Sequence, residues 1–247
     1  MDSIEELRKI RVVNLLLVLL LGFFTFLFTY LPIEFKLIGA SGSIRLAESM
    51  CLVNGILLGP FYGLISSAIG VGVRCIMNGY FDLFSLIPLF GAIFSGLLSR
   101  NHWKISSILL GSSIFCWYLT PGGVEFWFLP YFSVVCLFII LISRDKIHEM
   151  LYGKWMPLSL FIISFCGTLF VHMIEEVLVL SYIPSTPSAW MMAIKIYPFE
   201  RLALSIVSVA IASLFIYLIK AIHEKEELEE KEILEYAKMA REKIKKR

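Results

Sequence analysis

Long apolar runs, each closed by a short polar or Gly/Pro-containing break, recur along the chain. The pattern predicts helices at about 11–31, 44–59, 60–78, 82–99, 104–119, 124–143, 155–181 and 197–220. A hydrocarbon core of about 30 Å is crossed by roughly 17–25 helical residues, so the runs have the length of membrane spans and number eight. The second and third meet at Gly59-Pro60 and the fifth and sixth at Thr120-Pro121-Gly122-Gly123. Either pair reads as two crossings or as a hairpin that stops short. Because hairpins remove spans two at a time, the sidedness of the remaining helices is the same in both cases.

Composition strengthens this reading. Hydrophobic residues make up 58% of the 247 and charged residues 17%, and the mean hydropathy is +0.82. A soluble domain runs at about 45–50% apolar and about 25% charged. The expected fold is therefore an all-α, polytopic membrane bundle of about eight spans in one domain, residues 1–222, solvated by the lipid bilayer. Residues 223–247 are a different material, dense in Glu and Lys, with Ile233, Ala237, Ala240 and Ile244 on one helical face. This tail is expected to be a charged cytoplasmic helix. It would either lie on anionic headgroups through Lys243, Lys245, Lys246 and Arg247 or bind a partner helix.

Lys and Arg set the orientation, since short basic loops stay in the cytoplasm. With eight spans, Arg8, Lys9, Arg11, Arg100, Lys104, Arg144, Lys146, Lys154 and the tail fall on one side, against Lys36, Arg45, Arg74, Lys195 and Arg201 on the other. Both termini are expected in the cytoplasm of a multi-pass cell-membrane protein. The net charge of +2 and the scattered basic residues give no nucleic-acid patch. The five cysteines sit in apolar runs without CxxC spacing, which signals neither zinc nor a disulfide framework. The acidic start and the long first run lack a cleavage site, so the run is expected to remain as a helix.

Ionised side chains inside a membrane face a protein interior or water and are functional candidates by default. Arg45 and Glu48 open the second span three residues apart, with Asn54 further down. Arg74 and Asn78 end the third span, Trp117 and Tyr118 the fifth, and His172, Glu175 and Glu176 lie in the seventh. Glu125 and Trp127 start the sixth span, and Glu200 and Arg201 open the eighth. All fall in the half of the membrane assigned as outer, which suggests an aromatic-lined polar cavity open to the outside. For Glu125, Trp127, Glu200 and Arg201 the alternative is an interfacial belt of snorkelling side chains and local ion pairs.

The HxxEE pattern at His172 lacks the second histidine of HExxH, and no Ser/His/Asp set, phosphate loop or GxGD pattern is present, so no enzyme, metal site or cofactor is expected. Gly63, Ser66, Ser67, Gly70 and Gly72, together with Gly91, Ala92, Ser95 and Gly96, form small-xxx-small pairs. With Gly59 and Pro60 they are the expected points of closest helix approach.

The stretch Gly42-Ser43-Ile44-Arg45-Leu46-Ala47-Glu48, continuing through Asn54-Gly55-Ile56-Leu57-Leu58-Gly59-Pro60-Phe61-Tyr62-Gly63 to Arg74, Asn78 and Gly79, resembles the core of energy-coupling-factor (ECF) transporter S components. The ending, with Val171-His172-Met173-Ile174 before a loop and a last helix, is similar too. The resemblance implies a six-helix core plus an extra pair at 104–143. It also implies capture of a vitamin or similar polar micronutrient, with a transmembrane coupling subunit and two ABC ATPases as partners. Arg45, Glu48, Asn54, Arg74, Asn78, Trp117, His172 and Glu175 would then line the substrate site, with Arg45 and Arg74 meeting an anionic group on the ligand. The start Met1-Asp2 lacks the Met-His of nickel and cobalt members, so metal uptake by that route is not implied.

The same features also resemble the membrane sensor region of LytS-type histidine kinases, with an Arg near a helix start, a Gly-Pro-x-x-Gly turn and an Arg followed by Asn/Gly. No kinase sequence follows within these residues. A receptor of this type is expected to act through a separate partner docked on 223–247.

Overall fold

The computed structural model describes residues 2–37, 40–79, 81, 83–182, 196–222 and 225, with side chains over 15–31, 46–79, 81, 84–178, 196–222 and 225. The elements are α1 (Asp2–Phe28), β1 (Pro32–Leu37), β2 (Ala40–Arg45), α2 (Leu46–Asn78), a 3-10 turn (Leu83–Leu86), α3 (Ile87–Ser99), α4 (Trp103–Tyr118), α5 (Pro121–Glu125), α6 (Tyr131–Ser143), α7 (Lys146–Met150) and α8 (Met156–Tyr182). The last described helix, α9, is Ile196–Ile222. Contacts group Met1–Ile211 as one compact unit and Ala212–Arg247 as a second, helical over 212–222. Apart from Lys225, the tail at 223–247 lies outside the described residues.

Among the described residues, three stretches are long and apolar enough to cross a membrane: Leu46–Asn78, Met156–Leu178 and Ile196–Ile222. The first does not run straight. Gly59 has φ 81 and ψ 179 inside it, followed by Pro60. A proline lacks the N–H that would continue the ladder, and positive φ is the glycine-favouring region, so Gly59-Pro60 is where the helix can break. The two arms, 46–58 and 60–78, fold back on each other. Asn54 Nδ2 donates to Ser67 Oγ at 2.9 Å, although thirteen residues of straight helix would separate them by about 20 Å. A Cβ on Gly63 would fall 2.7 Å from Gly55 Cα, so the arms touch backbone to backbone.

Contacts give each helix its direction. Ser66 Oγ donates to Val18 O and Asn54 Nδ2 to Thr25 Oγ1, while Tyr30 lies under Arg74. Helix α1 therefore runs parallel to the second arm of α2. Ser95 Oγ donates to Leu52 O, and Arg100 Nη2 to Leu57 O, which aligns α3 with the first arm. Phe94 stacks on Phe170 at 4.6 Å between α3 and α8. The start of α9 runs antiparallel to α8, with Thr168 and Ser205 hydroxyls 3.4 Å apart. It runs parallel to the first arm, with Ser49 Oγ donating to Leu204 O.

Alternating passes leave the two ends of the bundle unlike. One carries the Gly59 turn, Arg100, the α6–α8 connection and its basic residues. His148 Nδ1 meets Ser99 O at 2.7 Å, and the Arg144 guanidinium lies over Trp103. The other carries the β-hairpin, the 3-10 turn and the segment from Thr120 to Tyr131. Between the ends, large apolar side chains such as Leu16, Ile108 and Ile142 point outward. Polar groups such as Ser49, Asn54, Ser66, Ser67 and Ser95 are buried. That inversion is what lipid as solvent requires. The molecule is an all-helical membrane bundle with one short hairpin.

Two boundaries differ from the sequence pattern. Residues 44 and 45 belong to β2, with Ile44 paired to Ile33 and Arg45 to Pro32, so Arg45 and Glu48 do not share a helical face. Gly42 and Ser43 are poor helix formers, and the Pro32–Leu37 strand pairs with them instead. The sixth span is helical only from Tyr131. Ahead of it, Thr120 caps the short α5, with Gly123 N donating to Thr120 Oγ1 at 3.0 Å. Residues 126–130 then form turns closed by Pro130 at the N-cap of α6.

Candidate functional site

At the end of the bundle away from the basic loops, three helices bring charged side chains together. Glu48 sits in the first turn of α2, where an acidic residue complements the helix dipole. His172, Glu175 and Glu176 occupy one face of α8 by their spacing of three and four. Arg201 comes from the first turns of α9. Its Nη1 donates to Glu48 Oε1 at 2.7 Å and its Nη2 to Glu175 Oε2 at 3.2 Å. Glu200 Oε1 is 3.8 Å from Nη2. The Arg201 and Glu48 side chains are 4% and 9% exposed, whereas Glu175 is 40% exposed. The cluster thus runs from a sealed ion pair to a carboxylate reachable from outside the protein. Charges in such a place persist because each finds a partner; alone, each would cost several kcal/mol.

His172 lies deeper and behaves differently. Its ring stacks on Tyr197 at 4.5 Å with 19° between planes, and its Nε2 is 3.7 Å from Glu176 Oε1. Among the described residues neither ring nitrogen has a hydrogen-bond partner, and neither does Arg201 Nε. Tyr197 Oη donates to Leu129 O at 2.8 Å, which fixes the ring at the wall of a cavity of ≈ 620 Å³. Tyr118, Trp127, Phe128, Tyr131 and Phe132 also line this cavity. Tyr118 Oη donates to Trp127 O. Trp117, fully buried, packs with Phe126, Leu129 and Met173 behind the wall. The turns at 126–130 therefore present aromatic faces that a continuous helix would have distributed around its axis.

Of the residues singled out from sequence, Glu48, His172 and Glu175 meet in the cluster, and Trp117 supports the neighbouring cavity. Asn54 does not join them. It is buried between α1 and both arms of α2, tying Thr25 to Ser67. Arg74 has its guanidinium 4.9 Å over the Tyr30 ring, and Asn78 is exposed at the end of its helix. Arg45 ends β2, and its side chain lies outside the described residues. Arg201, read from sequence as one half of a local pair with Glu200, is the centre of the cluster. Tyr197 is the residue that the sequence reading did not single out, and Glu176, noted there beside Glu175, lies against His172. The signal for Arg201 was its position one turn into the last span, which neighbouring Glu200 made ambiguous.

Gly63, Gly70, Gly91 and Gly96 of the packing pattern sit at close approaches, whereas a Cβ on Gly72 would meet nothing within 4 Å, so Gly72 is not a point of helix contact. A Cβ on Gly96 would fall 2.5 Å from Pro60 N, one on Gly70 2.6 Å from Gly22 O, and one on Gly91 3.0 Å from Val171 Cγ2. Among the described residues no group of three or more His, Cys, Asp or Glu is arranged to hold a metal ion.

A helical membrane bundle with a charged cluster and an aromatic cavity at one end is, as a class, a polytopic membrane protein. The chain belongs to the 5TMR-LYT family, whose 5TMR model matches residues 3–177. An uncharacterized protein of Methanocaldococcus jannaschii is 33% identical over 215 residues, covering 84% of this chain and 72% of that protein. Among solved structures, the S-component for biotin from an ECF-type ABC transporter covers 85% of this chain and 93% of its own, at 15% identity and a TM-score of 0.41.

Proposed function

We propose that this protein is a membrane-embedded receptor that captures a small polar molecule at the end of the bundle carrying Arg201, and that this end faces the outside of the cell. The observation that carries the reading is the Glu48–Arg201–Glu175 network beside the aromatic cavity. It places buried charge where a ligand can meet a half-exposed carboxylate and apolar ring faces together. Arg100, Lys104, Arg144, Lys146 and Lys154 at the opposite end support a cytoplasmic assignment there.

Family membership favours sensing as the use of this capture. The matched region ends at 177, and α9, which supplies Arg201, leads in sequence to the charged segment 223–247. A ligand that competes for Glu175 or Glu48 would change how the start of α9 is held, and the tail would pass that change to a cytoplasmic partner. The second reading is the substrate-binding subunit of an ECF-type importer, favoured by the motif from Gly42 to Gly79 and its turn at Gly59-Pro60. No residue in either reading is assigned a catalytic step.

Gentle affinity purification from native membranes, with mass spectrometry of small molecules and co-purifying proteins, tests both. A bound metabolite lost in Glu175→Ala supports capture at this site. A signalling protein dependent on 224–247 supports the receptor, and a membrane coupling subunit with an ATPase pair supports the importer. Absence of any small molecule overturns the capture reading.

A further inference from the structure

The cluster is unbalanced in sign. Glu48 and Glu175 meet Arg201, the single guanidinium or ammonium in contact with them among the described residues, while Glu176 faces His172 instead. Among the described residues, and leaving Glu200 aside, the carboxylates, when ionised, outnumber the cations by two if His172 is neutral and by one if it is protonated. His172 adds an independent sign of a missing partner. Its side chain is 5% exposed, both ring nitrogens lack a hydrogen-bond partner among the described residues, and Nε2 points at Glu176 across a gap of 3.7 Å. A buried imidazole without a partner costs free energy that a ligand donor would recover. Tyr197, on which His172 stacks, also lines the aromatic cavity, whose ring faces carry the negative side of the aromatic quadrupole.

We propose that the site takes a small organic cation, a protonated amine carried on an apolar ring, with its ammonium between Glu175, Glu176 and His172 and its ring in the aromatic cavity beside Tyr197. The ammonium N–H groups donate to the Glu176 carboxylate and to an imidazole nitrogen, which gives the ring a hydrogen-bond partner. Arg201 then acts on the opposite side of the carboxylates, holding Glu48 and Glu175 in place rather than meeting the ligand. This assignment rests on the capture reading and reverses the ligand charge that Arg45 and Arg74 imply by resemblance.

The test is a thermal-stability series on the full-length protein in detergent with ring-matched probes: tryptamine, indole-3-acetate and indole, then phenethylamine, phenylacetate and toluene. Binding to the folded state alone raises the melting temperature in proportion to the logarithm of ligand concentration. The amines are expected to raise it, and the carboxylates and neutral rings are not. Glu176→Gln and, at the more exposed position, Glu175→Gln are each expected to lower the apparent affinity for amines at least tenfold. Two variants keep the result readable if one of them fails to fold. Stabilisation by the carboxylates or neutral rings in place of the amines, or amine binding unchanged in both variants, overturns the cation assignment while leaving capture standing. Silence from every probe overturns the cation assignment as well, and if native purification also yields no bound molecule, the capture reading falls with it.

Discussion

Arg201 shows how much a single side chain can hold in a solvent of low polarity. It bridges Glu48, 153 positions earlier in the chain, and Glu175, 26 positions earlier. Removing it strands Glu48 at 9% exposure with no cation in contact among the described residues. Breaking one side of a buried pair typically costs about 3–5 kcal/mol, whereas neutralising both sides costs far less. Arg201→Gln is therefore expected to lose about that amount in a denaturant or thermal titration in mixed micelles, and Glu48→Gln/Arg201→Gln to recover part of it. A double-variant cycle with additive losses would remove the pair from the centre of the site. Sequence pattern identified Glu48, His172 and Glu175 because charges inside apolar runs stand out one at a time. It could not pair them, since partners across helices leave no trace in local spacing. The same reason explains Asn54 and Arg74. Each is polar in an apolar run, yet one ties helices together through Thr25 and Ser67 and the other lies over Tyr30.

At the scale of elements, the turn at Gly59-Pro60 governs the centre of the bundle. It converts a 33-residue apolar helix into two antiparallel arms, and α3 closes over it with Gly96 against the backbone of Gly59 and Pro60. Gly59→Ala places a Cβ at φ 81 and ψ 179, a region essentially confined to glycine, at a cost of about 1–3 kcal/mol. Gly96→Leu must separate two backbones. The expected result is a modest loss of melting temperature for the first and failure to yield folded, monodisperse protein for the second. A well-folded Gly96→Leu variant would mean that α3 does not approach the turn this closely. Gly and Pro announce such a break in the sequence because their effect is local and steric. The β-hairpin and the turns at 126–130 were not legible in the same way. Ile44 adjoins the apolar run that begins at Leu46, and Phe126, Trp127 and Phe128 are as apolar as any helical segment, so hydropathy alone extends the helices through them. Strand pairing decides the first, and the Thr120 cap with Pro130 decides the second.

For the molecule as a whole, alternating passes predict which loops share a side. Lys104→Cys and Gly153→Cys, both exposed, should be labelled together from one side of the membrane, and Phe81→Cys and Glu125→Cys, also exposed, from the other. With the basic end in the cytoplasm, an impermeant maleimide added to intact cells reaches the second pair only. Labelling of Gly153→Cys in intact cells would invert the orientation and move the proposed site to the cytoplasmic face. The chain's own pattern determined that it is a helical membrane protein, that it breaks at Gly59-Pro60 and which loops carry positive charge, because hydropathy, proline chemistry and charge act residue by residue. Only the tertiary structure decided that Glu48, His172, Glu175, Glu176 and Arg201 form one cluster, in which carboxylates outnumber guanidinium groups among the described residues. Electrostatic balance is a property of distances between helices, and those distances are set by packing.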